Sequence, residues 1–102
     1  MTAEYVILFH PKAEKEYLES LIWYENAIIG LGQEFFYEIE NVVKRITENP
    51  LLYPKKKNQF REAIVKGFPY IIVYEFKRQK QQITILAVFH TKRNPKLKYK
   101  EK

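Results

Sequence analysis

The chain has 102 residues, 46% hydrophobic and 29% charged, with a net charge of +6 and no cysteine. That is enough for one cored domain of ordinary size and excludes wholesale disorder. It also rules out disulfides, thiolate metal sites and cysteine nucleophiles, and no run of about 18 apolar residues is present to span a membrane.

Tyr5-Val6-Ile7-Leu8-Phe9 is a short β-rich run and reads as a first strand. His10-Pro11 ends it, and Pro11 suits the first turn of a helix, where its missing N–H costs nothing. Ala13, Tyr17, Leu18, Leu21, Tyr24 and Ile28 then recur at helical spacing, with Glu14, Lys15, Glu16 and Glu19 on the other side. Gly30-Leu31-Gly32 interrupts the pattern and allows a tight reversal. A second stripe follows in Leu31, Phe35, Ile39, Val42, Val43 and Ile46, and Asn49-Pro50 stops it. So short a link predicts an antiparallel helical hairpin.

Residues 51–59 read as a basic loop containing Tyr53-Pro54 and Lys55-Lys56-Lys57. Residues 60–66, 70–76 and 83–89 read as strands, joined by Gly67-Phe68-Pro69 and by a polar turn over 77–81. Short connections make these three strands an antiparallel meander. The predicted fold is therefore α+β: an N-terminal strand, a two-helix hairpin, then the meander, with helices and strands segregated. A single domain is expected over 1–102, with 95–102 as a flexible basic tail. One sheet face is expected to pack on the hairpin and the other to remain open.

The N-terminus, Met1-Thr2-Ala3-Glu4, lacks the basic n-region of a signal peptide, so the expected location is the cytoplasm. The three glycines fit no phosphate-binding or dinucleotide loop. Two distant histidines without Cys or Asp make no metal site, and no cofactor is expected. Most of the glutamates lie on helix faces, as Glu40 does four residues before Lys44, and read as solubilising charge. Basic charge gathers in the second half, at Lys55 to Lys57 and from Lys92 and Arg93 onward, which suits nucleic acid or an acidic protein segment.

Several residues carry two readings. His90 is either a general acid–base, the task an imidazole suits at neutral pH, or a group that hydrogen-bonds a backbone carbonyl at a strand end. His10 reads as an end-cap or surface residue. Tyr70 and Tyr74 share a strand face with Ile72 and Phe76 and read as core in preference to a base-stacking platform. Trp23 either covers the edge of the hairpin or anchors a partner. Lys55-Lys56-Lys57 is either a solvated loop or a track for a phosphate backbone.

The chain resembles the RelE/ParE superfamily of type II toxin–antitoxin toxins. The resemblance is carried by Phe9-His10-Pro11-Lys12-Ala13, Trp23-Tyr24-Glu25, Gly30-Leu31-Gly32 with Phe35, and Asn49-Pro50. It continues through Arg61-Glu62-Ala63-Ile64-Val65, Phe68-Pro69-Tyr70 and Val88-Phe89-His90-Thr91-Lys92-Arg93-Asn94-Pro95. It implies a small basic toxin, of the kind associated with plasmid stabilisation, held in check by an acidic, partly disordered antitoxin.

The resemblance also implies one of two mechanisms. RelE-like members cut mRNA in the ribosomal A site as metal-independent endoribonucleases. On that reading His90, Lys66, Arg61 and Arg93 are the candidate catalytic residues, the cations supplying the electrostatic term. ParE-like members poison DNA gyrase by protein contact. RelE-like chains usually read Tyr-Arg-aliphatic-aliphatic-Tyr where this one reads Tyr70-Ile71-Ile72-Val73-Tyr74, so Ile71 stands in place of the guanidinium. The ending His90-Thr91-Lys92-Arg93-Asn94 is closer to the ParE-like pattern, which favours gyrase over the ribosome and its mRNA as target.

Overall fold

A computed structural model describes residues 5–93 and Lys98. Strand β1 (Val6–Phe9) leads into helix α1 (Pro11–Ala27), and helix α2 (Leu31–Glu48) follows a three-residue link. Strands β2 (Lys55–Lys57), β3 (Phe60–Ile64), β4 (Tyr70–Lys77) and β5 (Gln82–His90) follow, with a 3₁₀ turn at Arg78–Lys80. The sheet order is β1-β5-β4-β3-β2, antiparallel throughout except for the parallel β1–β5 pair.

The α+β class, the hairpin and the meander stand as expected, while the strand count differs. Lys55–Lys57, expected within a loop, forms a short fifth strand on the outer edge of β3. All three lysines are exposed, so no apolar alternation marks this strand in the sequence. Lysines on an edge strand also discourage further pairing. The tail expected over 95–102 lies outside the described residues apart from Lys98, whose Nζ is 3.0 Å from Glu62 Oε2 on β3.

The hairpin is closed by one side chain. Glu25 of α1 accepts hydrogen bonds from Gly30 N–H at 2.9 Å and Gly32 N–H at 3.0 Å, satisfying donors at the start of α2. Gly30 has φ +92°, and a Cβ on Gly32 would lie 2.8 Å from the Leu21 carbonyl oxygen. Both glycines are therefore required by geometry, one for its backbone angle and one for helix approach. Rising positions on α2 meet falling ones on α1: Gly32 meets Glu25, Phe35 meets Tyr24, and Glu40 meets Tyr17. The helices are thus antiparallel.

The main core lies between hairpin and sheet. Phe35, Ile39, Val42 and Ile46 of α2 pack with Ala13 of α1 and with Ala63, Ile72, Tyr74, Ile83, Ile85 and Val88 of the sheet. Phe35 is fully buried and meets the rings of Tyr17, Tyr24, Phe68 and Tyr70. The far face, expected to be open, holds a second buried cluster of Val73, Leu86, Ala87 and Phe89, with Ile71 and Phe60 against it.

A β-bulge explains how β5 serves both faces. Val73 pairs with Ala87 but Tyr74 pairs with Ile85, leaving Leu86 as an extra residue. Ile83 and Ile85 face the helices; past the bulge, Val88 and His90 do so in place of Ala87 and Phe89.

Buried tyrosines make the fold sensitive to alkali. Burial pushes the Tyr74 phenol up to about 12, against the pull of the Arg61 guanidinium and the Tyr53 backbone. Burial, then the hydrogen bond to Glu40, raises Tyr17 as well. A tyrosine held protonated in the fold contributes stability that is complete below pH about 10 and lost as pH rises through the folded pKa. Tyr74 alone is expected to cost about 2 kcal/mol between pH 10 and 12. Urea midpoints from pH 7 to 12 check this; a midpoint unchanged above pH 10 contradicts it.

Candidate functional site

The end of β5, the start of β4 and the second half of α1 enclose an open cleft of about 550 Å³, lined by Glu19, Ser20, Trp23, Tyr24, Tyr70, His90 and Arg93. Tyr70 is the floor. Its hydroxyl donates to Ser20 Oγ at 2.9 Å, and its ring meets His90 edge-on at 5.1 Å. Trp23 stands on the rim, 66% exposed, its ring perpendicular to Tyr24. It therefore does not close the hairpin edge. Burial and the neighbouring Tyr70 hydroxyl raise the Tyr24 phenol above its ordinary value.

His90 is fixed by the turn that follows it. Its Nδ1 accepts from Lys92 N–H at 3.0 Å and its carbonyl accepts from Arg93 N–H at 3.1 Å. The ring's bond is therefore not the one to a backbone carbonyl expected of a strand-end histidine; it accepts from an N–H. With Nδ1 accepting, the neutral ring carries its proton on Nε2. His10 does the same at the start of α1, where Nδ1 caps Lys12 N–H at 3.1 Å, so the end-cap reading of His10 holds.

Arg93 lies 5.8 Å above the Phe89 ring and 3.5 Å from Glu16 Oε2. Glu16 is a junction that sequence reasoning passed over as helix-face charge. Its Oε1 accepts from Val88 N–H at 2.9 Å, two residues beyond the bulge, and its Oε2 is 3.1 Å from Lys12 Nζ. Lys12 Nζ is buried with no aligned hydrogen bond, so this contact is its counter-charge. The one legible signal was the i,i+4 spacing of Lys12 and Glu16; the contact with Val88 spans 72 residues and leaves none.

Of the four candidate residues, the structure brings His90 and Arg93 together and sets the other two apart. Lys66 lies in the β3–β4 turn and lines a separate depression that includes Glu34 and Glu38 of α2. Arg61 sits opposite Tyr74, whereas His90 sits opposite Tyr70. That separates them by roughly 13 Å along the strands and roughly 10 Å across two strand spacings. The Arg61 guanidinium donates instead to the Tyr53 carbonyl. Ile71 pairs with Phe89 and packs on the far face. Among the described residues, no group of three or more His, Cys, Asp or Glu is placed to hold a metal ion.

The decisive comparison is with protein families: the ParE toxin of the type II toxin–antitoxin system, parDE, matches over residues 7–95. The chain belongs to the ParE toxin family. Its fold is similar to that of a solved structure described as a chromosomal ParDE TA system from P. aeruginosa, at TM-score 0.62 and 14% identity. The match covers 86% of this chain and 97% of that one, and at this identity it is a likeness of fold. No match was found among curated proteins. As a ParE-family member the chain is a type II toxin, whose class of partner is an antitoxin. Among the described residues, no helix is long and apolar enough to cross a membrane.

Proposed function

We propose that this ParE-family toxin arrests growth in the cytoplasm by binding a protein target, DNA gyrase, and that an acidic antitoxin holds it in check. The observation behind this reading is the dispersal of the groups that a nuclease would need. His90 and Arg93 share a cleft, while Lys66 lines another depression and Arg61 is tied to a backbone carbonyl. Cleavage by 2′-OH attack requires a base, an acid and converging cations at one phosphate. The cleft's exposed Trp23 and apolar lining suit a protein contact, since aromatic residues and Arg are enriched at such interfaces.

The second reading, a ribosome-dependent endoribonuclease, draws on the pairing of His90 with Arg93. His90→Asn separates the two, because its amide oxygen can accept from Lys92 N–H as Nδ1 does, yet it carries no titratable group. Growth arrest by His90→Asn is expected to match the parent within about twofold, the change that about 0.5 kcal/mol allows at a surface position. Loss of arrest in a variant with a parental circular dichroism spectrum contradicts the proposal.

A further inference from the structure

The end of the sheet remote from the cleft gathers cations that the toxin reading does not use. The tight β2–β3 turn and the 3₁₀ turn after β4 lie side by side, because Phe60 pairs with Glu75 and brings Gln59 against Phe76 and Arg78. Lys55, Arg61 and Arg78 line one concavity there, with Leu51, Gln59 and Phe76. The adjoining depression continues with Lys77 and Lys80, and Lys56 stands exposed on β2.

Two features make this more than a solvated surface. No carboxylate lines either depression, and among the described residues none of these six cations is ion-paired. Strand alternation explains the first: Arg61 shares the helix-side face with Tyr74, while Glu62 and Glu75 point to the other face. Glu48 lines a third depression with Arg78 but makes no ion pair with it. Second, Arg61 is held in place by the Tyr53 carbonyl, so one cation is already ordered before any ligand arrives.

We infer that this end of the sheet binds the phosphodiester backbone of a nucleic acid. Regularly spaced phosphates match a row of cations with no intervening acid, and contact with the backbone alone needs no base-reading group. Such binding is sequence-independent, with dissociation constants on the order of 10⁻⁴–10⁻⁶ M at physiological salt, and weakens steeply as salt rises. The site is separate from the His90–Arg93 cleft, so it is independent of the identity of the protein target.

The test is fluorescence anisotropy of the full chain with a labelled 20-base-pair DNA duplex and a single-stranded RNA of equal length, at several salt concentrations. A triple variant, Lys55→Gln, Arg78→Gln and Lys80→Gln, is expected to bind at least about tenfold more weakly and to lower the duplex salt slope by about 2 to 3. Lys12→Gln, at the opposite end of the sheet, is the control and is expected to leave both unchanged. Arg78→Lys, which keeps the charge, is expected to retain binding and excludes a folding defect as the cause. Loss with both probes, or with one of them, supports the inference and identifies which nucleic acid is held. Unchanged binding by the triple variant overturns it, as does competition by poly-glutamate in preference to nucleic acid, which would make the surface a site for an acidic protein.

Discussion

Phe35→Ala is expected to remove about 4 kcal/mol of stability, within the range for deleting a fully buried aromatic side chain. Phe35 is 0% exposed and its ring meets four others, from Tyr17 and Tyr24 on α1, Phe68 in the β3–β4 turn and Tyr70 on β4. It is the point where both helices and the start of β4 converge, so the cavity left behind cannot be filled by one small shift. Domains of this size are stable by about 5–15 kcal/mol, so the loss is a large part of the whole. Tyr70 also forms the floor of the cleft, so the variant is expected to loosen His90. The neighbouring Phe36 is 47% exposed, and Phe36→Ala is expected to cost no more than about 1 kcal/mol. Urea denaturation of both variants checks the contrast; equal losses contradict this account of the core.

Glu16→Ala is expected to cost about 3 kcal/mol, although its one sequence signal, the i,i+4 spacing from Lys12, is shared by Glu19 with Lys15. The carboxylate accepts the Val88 N–H, and hydrogen bonds to charged groups are worth about 1.5–3 kcal/mol. Its removal also leaves Lys12 Nζ, buried beneath it, without a counter-charge. Its contact with Arg93 is looser, at 3.5 Å with the arginine side chain 48% exposed, and contributes little. Glu16→Gln keeps an acceptor for Val88 and is expected to recover roughly half of the loss. A cost below about 1 kcal/mol for Glu16→Ala would mean that water replaces the carboxylate at Val88.

Much of the fold was legible because it rests on local signals. Pro11, Gly30 and Asn49-Pro50 mark the helix boundaries, and the stripe from Phe35 to Ile46 marks the buried face of α2. What escaped depends on pairing across the chain. The parallel β1–β5 contact joins strands more than 70 residues apart, and no turn between them records it. The strand at Lys55–Lys57 buries nothing, so it has no hydrophobic pattern to find.

The bulge at Leu86 was hidden for the opposite reason. Residues 85–89 are apolar on both faces, so shifting alternation by one leaves the pattern unchanged. That shift nevertheless decides the site. It turns His90 toward Tyr70 and Ser20 on the helix side, and exposes the Val88 N–H that Glu16 receives. His90 and Arg93 were legible as a pair three residues apart at a strand end, whereas the distance of Arg61 from them follows from sheet register alone.

On the proposed reading, this ParE-family toxin arrests growth through a protein contact and leaves RNA intact. The most direct test is to map mRNA 5′ ends in translating bacteria shortly after inducing the chain without an antitoxin. Growth arrest with no new 5′ ends, accompanied by gyrase-dependent DNA damage, is the expected result. New cuts within codons of the ribosomal A site would contradict it and would make the His90–Arg93 cleft the centre of a nuclease.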